Sequence, residues 1–222
     1  MSLLRNIFST KHGSLPKAVL SARGIWPVLT SLNSDLRHVV LMAVNGESWL
    51  SKMQKAPVEE VYLFEPEPAA YHRLKRTFPQ FNCRQGALSD RVQVDSYIHY
   101  LDSDGKATQK LNGLKDQVNI LVKSQPLQAV WPAQLPLDLL VIDRGFTPDK
   151  VLKGAEPILS EHHPMIVFQW SAYATATHAE ATWALLQQLG YHVWPLHKTN
   201  GTPLSQAAFM ALPKGPILAM IR

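Results

Sequence analysis

What is scarce in these 222 residues narrows the field first. Cys83 is the only cysteine, so the chain has no disulfide framework and no thiolate metal cluster, and a reducing cytoplasm is its simplest home. No apolar run approaches the ~18 residues that a membrane-spanning helix needs, so no membrane span is expected. The 11 glycines and 16 prolines are scattered, which leaves no low-complexity tract or long linker. No segment repeats. Catalytic signatures are thin as well: there is no G-x-S-x-G, no G-x-x-x-x-G-K and no H-E-x-x-H. An NAD-binding Rossmann domain would need G-x-G-x-x-G after its first strand, and "VNGESW" does not supply it.

Acids are missing from one region altogether. Residues 1–34 hold Arg5, Lys11, Lys17 and Arg23 and no carboxylate, so the formal charge of +5 falls to +1 for the rest of the chain. A near-neutral domain without a basic face gives no reason to expect a nucleic-acid partner. The basic segment lacks the long apolar core of a signal peptide. Residues 1–36 are therefore expected to form a helical extension that docks on a domain spanning 37–222, through Leu15, Val19, Leu20 and Ile25.

What is present alternates between strand-like and helix-like periods. "RHVVLMAV" (37–44) is a β-branched run that ends at Asn45-Gly46, and "GESWLSKMQK" follows as a short helix. "EEVYLF" (59–64) is a second strand, and Pro68 suits the first position of the helix after it. "NCRQGAL" is a weaker third strand, and 92–110 alternates around a turn at Asp104-Gly105. "LDLLVID" (137–143) and "PMIVFQW" (164–170) are nearly all apolar, as central parallel strands are. Between them "PDKVLKGAEPIL" carries an apolar stripe of Val151, Leu152, Ala155, Ile158 and Leu159. A helix with Trp183, Leu186 and Leu189 stops at Gly190, and "YHVWPL" and "AAFMALP" are assigned to the remaining strands. Such alternation predicts a doubly wound, mostly parallel α/β sheet with "VVLMAV", "VYLF", "LDLLVI" and "MIVFQ" as interior neighbours.

Glu65 ends the second of these strands. In an open parallel sheet, ligands bind beyond the carboxyl ends of the strands, where a carboxylate can accept hydrogen bonds from both hydroxyls of a ribose. The plainer reading makes Glu65 the first solvated residue after a strand, capping the helix that starts near Pro68. Among nine histidines, the adjacent His162 and His163 point in different directions and are expected to cap a helix end, where a cation is favourable. No metal site is expected.

Five pieces in order, "VYLFEPEPAAYHRLKR", "GALSDR", "LDLLVIDRGFTPDKVLKGAEPIL", "PMIVFQW" and "LGYHVWPL", resemble the FkbM-type S-adenosylmethionine-dependent methyltransferases over roughly residues 37–215. The resemblance implies a Rossmann-like methyltransferase fold with an antiparallel last strand, S-adenosylmethionine as cofactor, and O-methylation of a sugar or secondary-metabolite hydroxyl on a small-molecule or glycan acceptor. It places Asn45, Gly46, Glu65, Ser89, Asp90 and Asp143 at the cofactor and Asp143 and Gln169 at the reacting centre. It also takes "AAFMALP" as the closing strand. Three departures stand against it. The family's D-x-G-A-N-x-G turn is here "LMAVNGES", with Met42 or Ala43 where the acid is expected; Glu47 is the substitute within reach. The family's I-D-V-E-G-x-E reads "IDRGFTP", putting Arg144, Gly145, Phe146 and Pro148 at positions where the motif has other residues. The fifth strand ends in Gln169-Trp170 where the family often has an acid. These losses imply the alternative of a catalytically silent binding or scaffold module with a protein partner.

Overall fold

The computed structural model describes residues 22–43, 46–101, 107–108, 116–143, 148–170, 176–212 and 215–221. Helix α1 (Ala22–Leu32) leads into β1 (His38–Met42), α2 (Glu47–Met53), β2 (Glu60–Glu65), α3 (Pro68–Thr77) and β3 (Asn82–Gln85). A small inserted sheet follows, of β4 (Ala87–Leu88), β5 (Gln93–Leu101), β6 (Ala107–Thr108) and β7 (Asp116–Gln125). The main sheet resumes with β8 (Leu139–Ile142), α4 (Pro148–His162), β9 (Met165–Trp170), α5 (Ala176–Gln188), β10 (His192–Pro195), α6 (Gln206–Met210) and β11 (Gly215–Met220).

The main sheet runs β10-β11-β9-β8-β1-β2-β3. The four runs predicted as interior neighbours, β9, β8, β1 and β2, are consecutive and mutually parallel. Their apolar continuity has a simple cause, since both faces are covered. Val40, Met42, Phe64 and Ile142 face a cluster with the α4 stripe and Leu186 of α5, while Leu41, Leu63 and Val141 face Trp49 and Leu50 of α2 and Leu74 of α3. Only β11 reverses direction, antiparallel to both β9 and β10.

The closing strand is not the one read from the sequence. Residues 207–210 of "AAFMALP" lie in α6, with Ser205 Oγ accepting from Ala208 N at 3.2 Å as its cap and Phe209 wholly buried. Two alanines and a methionine behind a serine cap favour a helix, and "GPILAM" supplies the strand instead. The inserted sheet also departs from the expected hairpin. The β5–β6 pairing exists (Tyr100 opposite Thr108), with Asp104-Gly105 outside the described residues, but the main partner of β5 is β7 along its whole length.

Helix ends follow their residues. Gly190 has φ 79°, donates to Gln187 O (3.0 Å), and is followed by Tyr191 N donating to Leu186 O (2.9 Å), a Schellman motif. His162 lies in the last turn of α4, and His163, at φ 49°, donates its N–H to Leu159 O (3.1 Å), so the pair does close that helix. At the opposite, amino edge of the sheet, Asp138 Oδ2 accepts from Arg37 N (2.9 Å) and His38 N (2.7 Å) and lies 3.2 Å from His38 Nδ1.

Helix α1 belongs to this core. Ile25, Trp26, Val28 and Leu29 are buried in the cluster on the α2–α3 face; Leu15, Val19 and Leu20 lie outside the described residues. Leu29 has no exposed surface. Leu29→Ala is expected to cost about 2–5 kcal/mol, and removing residues 1–36 to lower the thermal midpoint. A melt followed by circular dichroism checks both, and an unchanged midpoint after the deletion would show that the segment is not a structural part of the domain.

Candidate active site

Register brings the candidate residues together. Met42 lies opposite both Phe64 and Ile142, and Ile142 opposite Phe168. One residue further along, Glu65, Ala43, Asp143 and Gln169 therefore form one row across the carboxyl ends of β2, β1, β8 and β9. With neighbouring strands about 4.8 Å apart, the row spans roughly 14 Å. Backbone bonds hold its middle: Ala43 N donates to Phe64 O (3.3 Å) and Asp143 N to Met42 O (2.9 Å).

Glu65 is not open to solvent as a ligand-free carboxylate at a mouth would be. It is 0 % exposed, and its Oε1 accepts from Glu67 N at 3.0 Å. Nor is it the helix cap. That role falls to Glu67, whose carboxylate oxygens accept from Ala69 N and Ala70 N at the start of α3. The two acids thus divide the work, with Glu65 fixing the turn and Glu67 closing the helix N-terminus, where negative charge is favourable.

Asp143 is buried (4 % exposed), and so is Gln169 (8 %). Gln169 Nε2 reaches only Trp170 O at 3.4 Å, and its Oε1 is buried without a hydrogen-bond partner. A buried carbonyl oxygen left unpaired costs about 1–3 kcal/mol, which makes it a candidate acceptor for a ligand donor. Gln169 has the chemistry to orient a hydroxyl but not to deprotonate one.

Gly46 serves packing. It sits at the N-cap of α2, where a Cβ would stand 3.0 Å from Leu63 Cδ1 and 3.3 Å from Leu41 Cδ2, so any larger residue would push on these leucine tips. Asn45 lies outside the described residues, as do residues 144–147. At the end of β1 the described positions are Met42 and Ala43, both wholly buried, and Glu47 is exposed on α2. No carboxylate from β1 joins the row.

Ser89 and Asp90 are reached by a crossing segment. Gly86 N donates to Glu65 O (3.2 Å) and Leu88 N to Met42 Sδ (3.3 Å), so the chain passes over the ends of β2 and β1. It then meets α4 at Gly154, where a Cβ would come within 1.9 Å of Ser89 O and 3.2 Å of Asp90 Cα. Ser89 is buried and Asp90 exposed, with Ser89 Oγ donating to Asp90 Oδ1 at 3.2 Å. The pair lies against the α4 flank, clamped by glycine.

One pair escaped the sequence reading. Asp149, in the first turn of α4, has Oδ2 3.0 Å from His178 Nδ1 in the first turn of α5. The acid in the opening turn was a visible sign; its partner 29 residues on was not. Burial pushes the Cys83 thiol up, with Lys75 opposing and the charge of Glu65 adding to the effect, which disfavours the thiolate. Among the described residues, no three His, Cys, Asp or Glu side chains gather to hold a metal ion, and no helix is long and apolar enough to cross a membrane.

This geometry has solved counterparts. The methyltransferase FkbM from Methylobacillus flagellatus KT superposes with a TM-score of 0.53 over 90% of this chain and 50% of that one, at 14% identity. The chain has the methyltransferase fold. It spans about half the length of that FkbM structure. Two further methyltransferases resemble it at lower scores. Precorrin-6y C5,15-methyltransferase from Geobacter metallireducens GS-15 gives TM-score 0.48 and 13% identity over 95% of this chain and 93% of that one. A TehB-like SAM-dependent methyltransferase from Corynebacterium glutamicum gives 0.45 and 10% over 88% and 85%. No family model matches the sequence, and no curated protein matches it. Within the methyltransferase fold, the row from Glu65 to Gln169 occupies the carboxyl edge, where open α/β sheets bind ligands.

Proposed function

We propose that this protein is an S-adenosylmethionine-dependent methyltransferase acting on a hydroxyl of a sugar or secondary metabolite. The observation that carries the proposal is the row itself: a carboxylate on β2, a second on β8 and an unsatisfied amide oxygen on β9, aligned at the carboxyl edge. The nucleoside half of the cofactor fits these residues. Glu65 is the acceptor for ribose hydroxyls, exchanging its present partners for theirs, and the Ser89-Asp90 turn borders the adenine. When bound, the cofactor supplies an electrophilic methyl group on a sulfonium. Asp143 and Gln169 then orient the acceptor, Gln169 Oε1 taking the hydroxyl hydrogen bond that positions the oxygen for attack. The amino-acid half fits less well, because Ala43 stands in the row where a carboxylate would meet an ammonium group.

The expected consequence is an uneven grip. S-adenosylhomocysteine should bind at tens of micromolar or weaker, and adenosine alone should lose less than about tenfold, ~1.4 kcal/mol, relative to it. Glu65→Ala should weaken both by about 1–3 kcal/mol. Titration calorimetry decides. Submicromolar S-adenosylhomocysteine with adenosine a thousandfold weaker would show that another residue holds the amino-acid end. Absence of binding by either would favour the second reading, a silent module with a protein partner, which the burial of Glu65 and the apolar end of β1 also support.

A further inference from the structure

The near-neutral sum for residues 37–222 conceals a separation of charge. On one side of the main sheet, α4 and α5 carry Lys150 and Lys153 against Asp149, Glu156, Glu161 and Glu180. On the other side, α2, α3 and the turn after α2 carry Lys52, Lys55, Arg73, Lys75 and Arg76 against Glu47, with Glu67 engaged at the N-cap of α3. The cations also collect at one end. Both helices run back from the carboxyl edge of the sheet to its amino edge, so their last turns lie there together and Glu47 and Glu67 lie at the far end. Lys55, Lys75 and Arg76 are exposed, and Lys52 is half-exposed. None of these four forms an ion pair among the described residues. Lys75 Nζ donates to Tyr71 OH at 3.2 Å, and two acids of the amino edge, Asp35 and Glu59, are paired with Arg37 at 2.7 and 2.6 Å. Cations in a last turn answer the helix dipole, but a dipole does not require that four of them stand without a carboxylate. The α4 side shows the alternative, Lys153 paired with Glu156 at 2.6 Å.

The N-terminal segment joins the fold on this same side. Helix α1 packs with α2 in the cluster there, and the residues before it, 1–21, hold Arg5, Lys11 and Lys17, no acid, and the apolar Leu3, Leu4, Ile7 and Phe8. A polynucleotide would use only the cations of such a segment. A layer of anionic headgroups over acyl chains uses both.

We propose that the amino-edge half of the α2–α3 face is a docking surface for an anionic lipid bilayer, with Lys52, Lys55, Lys75 and Arg76 against the headgroups. Arg73, on the flank, keeps a partner of its own and is not counted. The negative α4–α5 side then faces water, and the row from Glu65 to Gln169 lies at the edge away from the bilayer. This docking is independent of methyl transfer and of whether a cofactor binds.

Co-sedimentation of the full chain with vesicles is the test. The vesicles are phosphatidylcholine with or without about 30 % phosphatidylserine, in about 0.05 M and about 0.5 M salt. The expected result is binding to the phosphatidylserine vesicles at low salt, at least about tenfold tighter than to phosphatidylcholine alone and lost at high salt. Each cation beside such a surface contributes about fivefold, so Lys75→Gln with Arg76→Gln should weaken binding about twentyfold. Lys52→Gln with Lys55→Gln should weaken it by a similar factor. Lys150→Gln with Lys153→Gln, the same charge change on α4, should alter it less than about twofold. All these side chains are at the surface, so the variants should fold as the wild type does. Equal binding to the two kinds of vesicle, or equal losses from the α3 and α4 pairs, would overturn the assignment. Retention by an oligothymidylate single strand but not by phosphatidylserine vesicles would overturn it in favour of a nucleic acid.

Discussion

Gly154→Ala should be among the most damaging single-methyl additions in this protein. The new Cβ would stand 1.9 Å from Ser89 O and 2.9 Å from Ser89 C, backbone atoms that cannot swing aside like a side-chain tip. Either α4 moves off the sheet or the crossing segment shifts. Leu88 is pinned to Met42 Sδ and Ser89 N to Gln125 O (3.0 Å), so neither adjustment is local. Overpacking of this severity costs about 3 kcal/mol, equivalent to roughly 6–12 °C in midpoint for a domain of this size. Gly24→Ala is the control. It lies on α1, where an added methyl would meet nothing within 4 Å, and helix propensity favours alanine there by about 1 kcal/mol. Paired thermal melts should move in opposite directions. Equal midpoints for Gly154→Ala and wild type would mean that the α4 contact yields easily and that the turn is not clamped.

Asp138→Ala should come second. One carboxylate oxygen gathers the N–H groups of Arg37 and His38 and approaches the His38 ring, which joins the start of β8 to the start of β1. Its removal leaves two donors without their acceptor. At about 1.5–3 kcal/mol for a hydrogen bond to a charged group, discounted for the partly exposed Arg37 side, the expected loss is about 2–4 kcal/mol. Asp138→Asn keeps an acceptor oxygen and should lose about half as much. Urea denaturation at constant m-value is the measurement. Because Asp138 sits at the amino edge, ligand affinity should stay within about twofold; a large change in affinity with little change in stability would contradict the assignment.

The interior of the sheet was legible because its physics is local. β1, β2, β8 and β9 are buried on both faces, and burial on both faces writes itself as uninterrupted Val, Ile, Leu and Phe. The periphery was less so. "AAFMALP" is short and apolar, and length cannot separate helix from strand in such a run; the serine cap at 205 was the available signal. β7 alternates through Ile120 and Val122 but sits in an insert whose packing no periodicity announces. At the site, Glu65 was found from its place after a strand, yet its burial depends on how the Glu67 turn folds back. Asp149 and His178 meet only because two helices lie side by side, a fact of topology that no spacing along the chain encodes.

The reversal of β11 also has a bearing on synthesis. β11 lies between β9 and β10, which precede it in the chain. A nascent polypeptide emerging from the ribosome therefore presents β9 with one open side and β10 with no neighbour in the main sheet, until residues 215–220 have cleared the exit tunnel. During that interval Val193 and Trp194, both wholly buried in the finished protein, have no strand beside them. Domains that complete their sheets late expose such edges to aggregation and to chaperones. A stalled or prematurely terminated translation product ending before Gly215 would be left permanently in that vulnerable form.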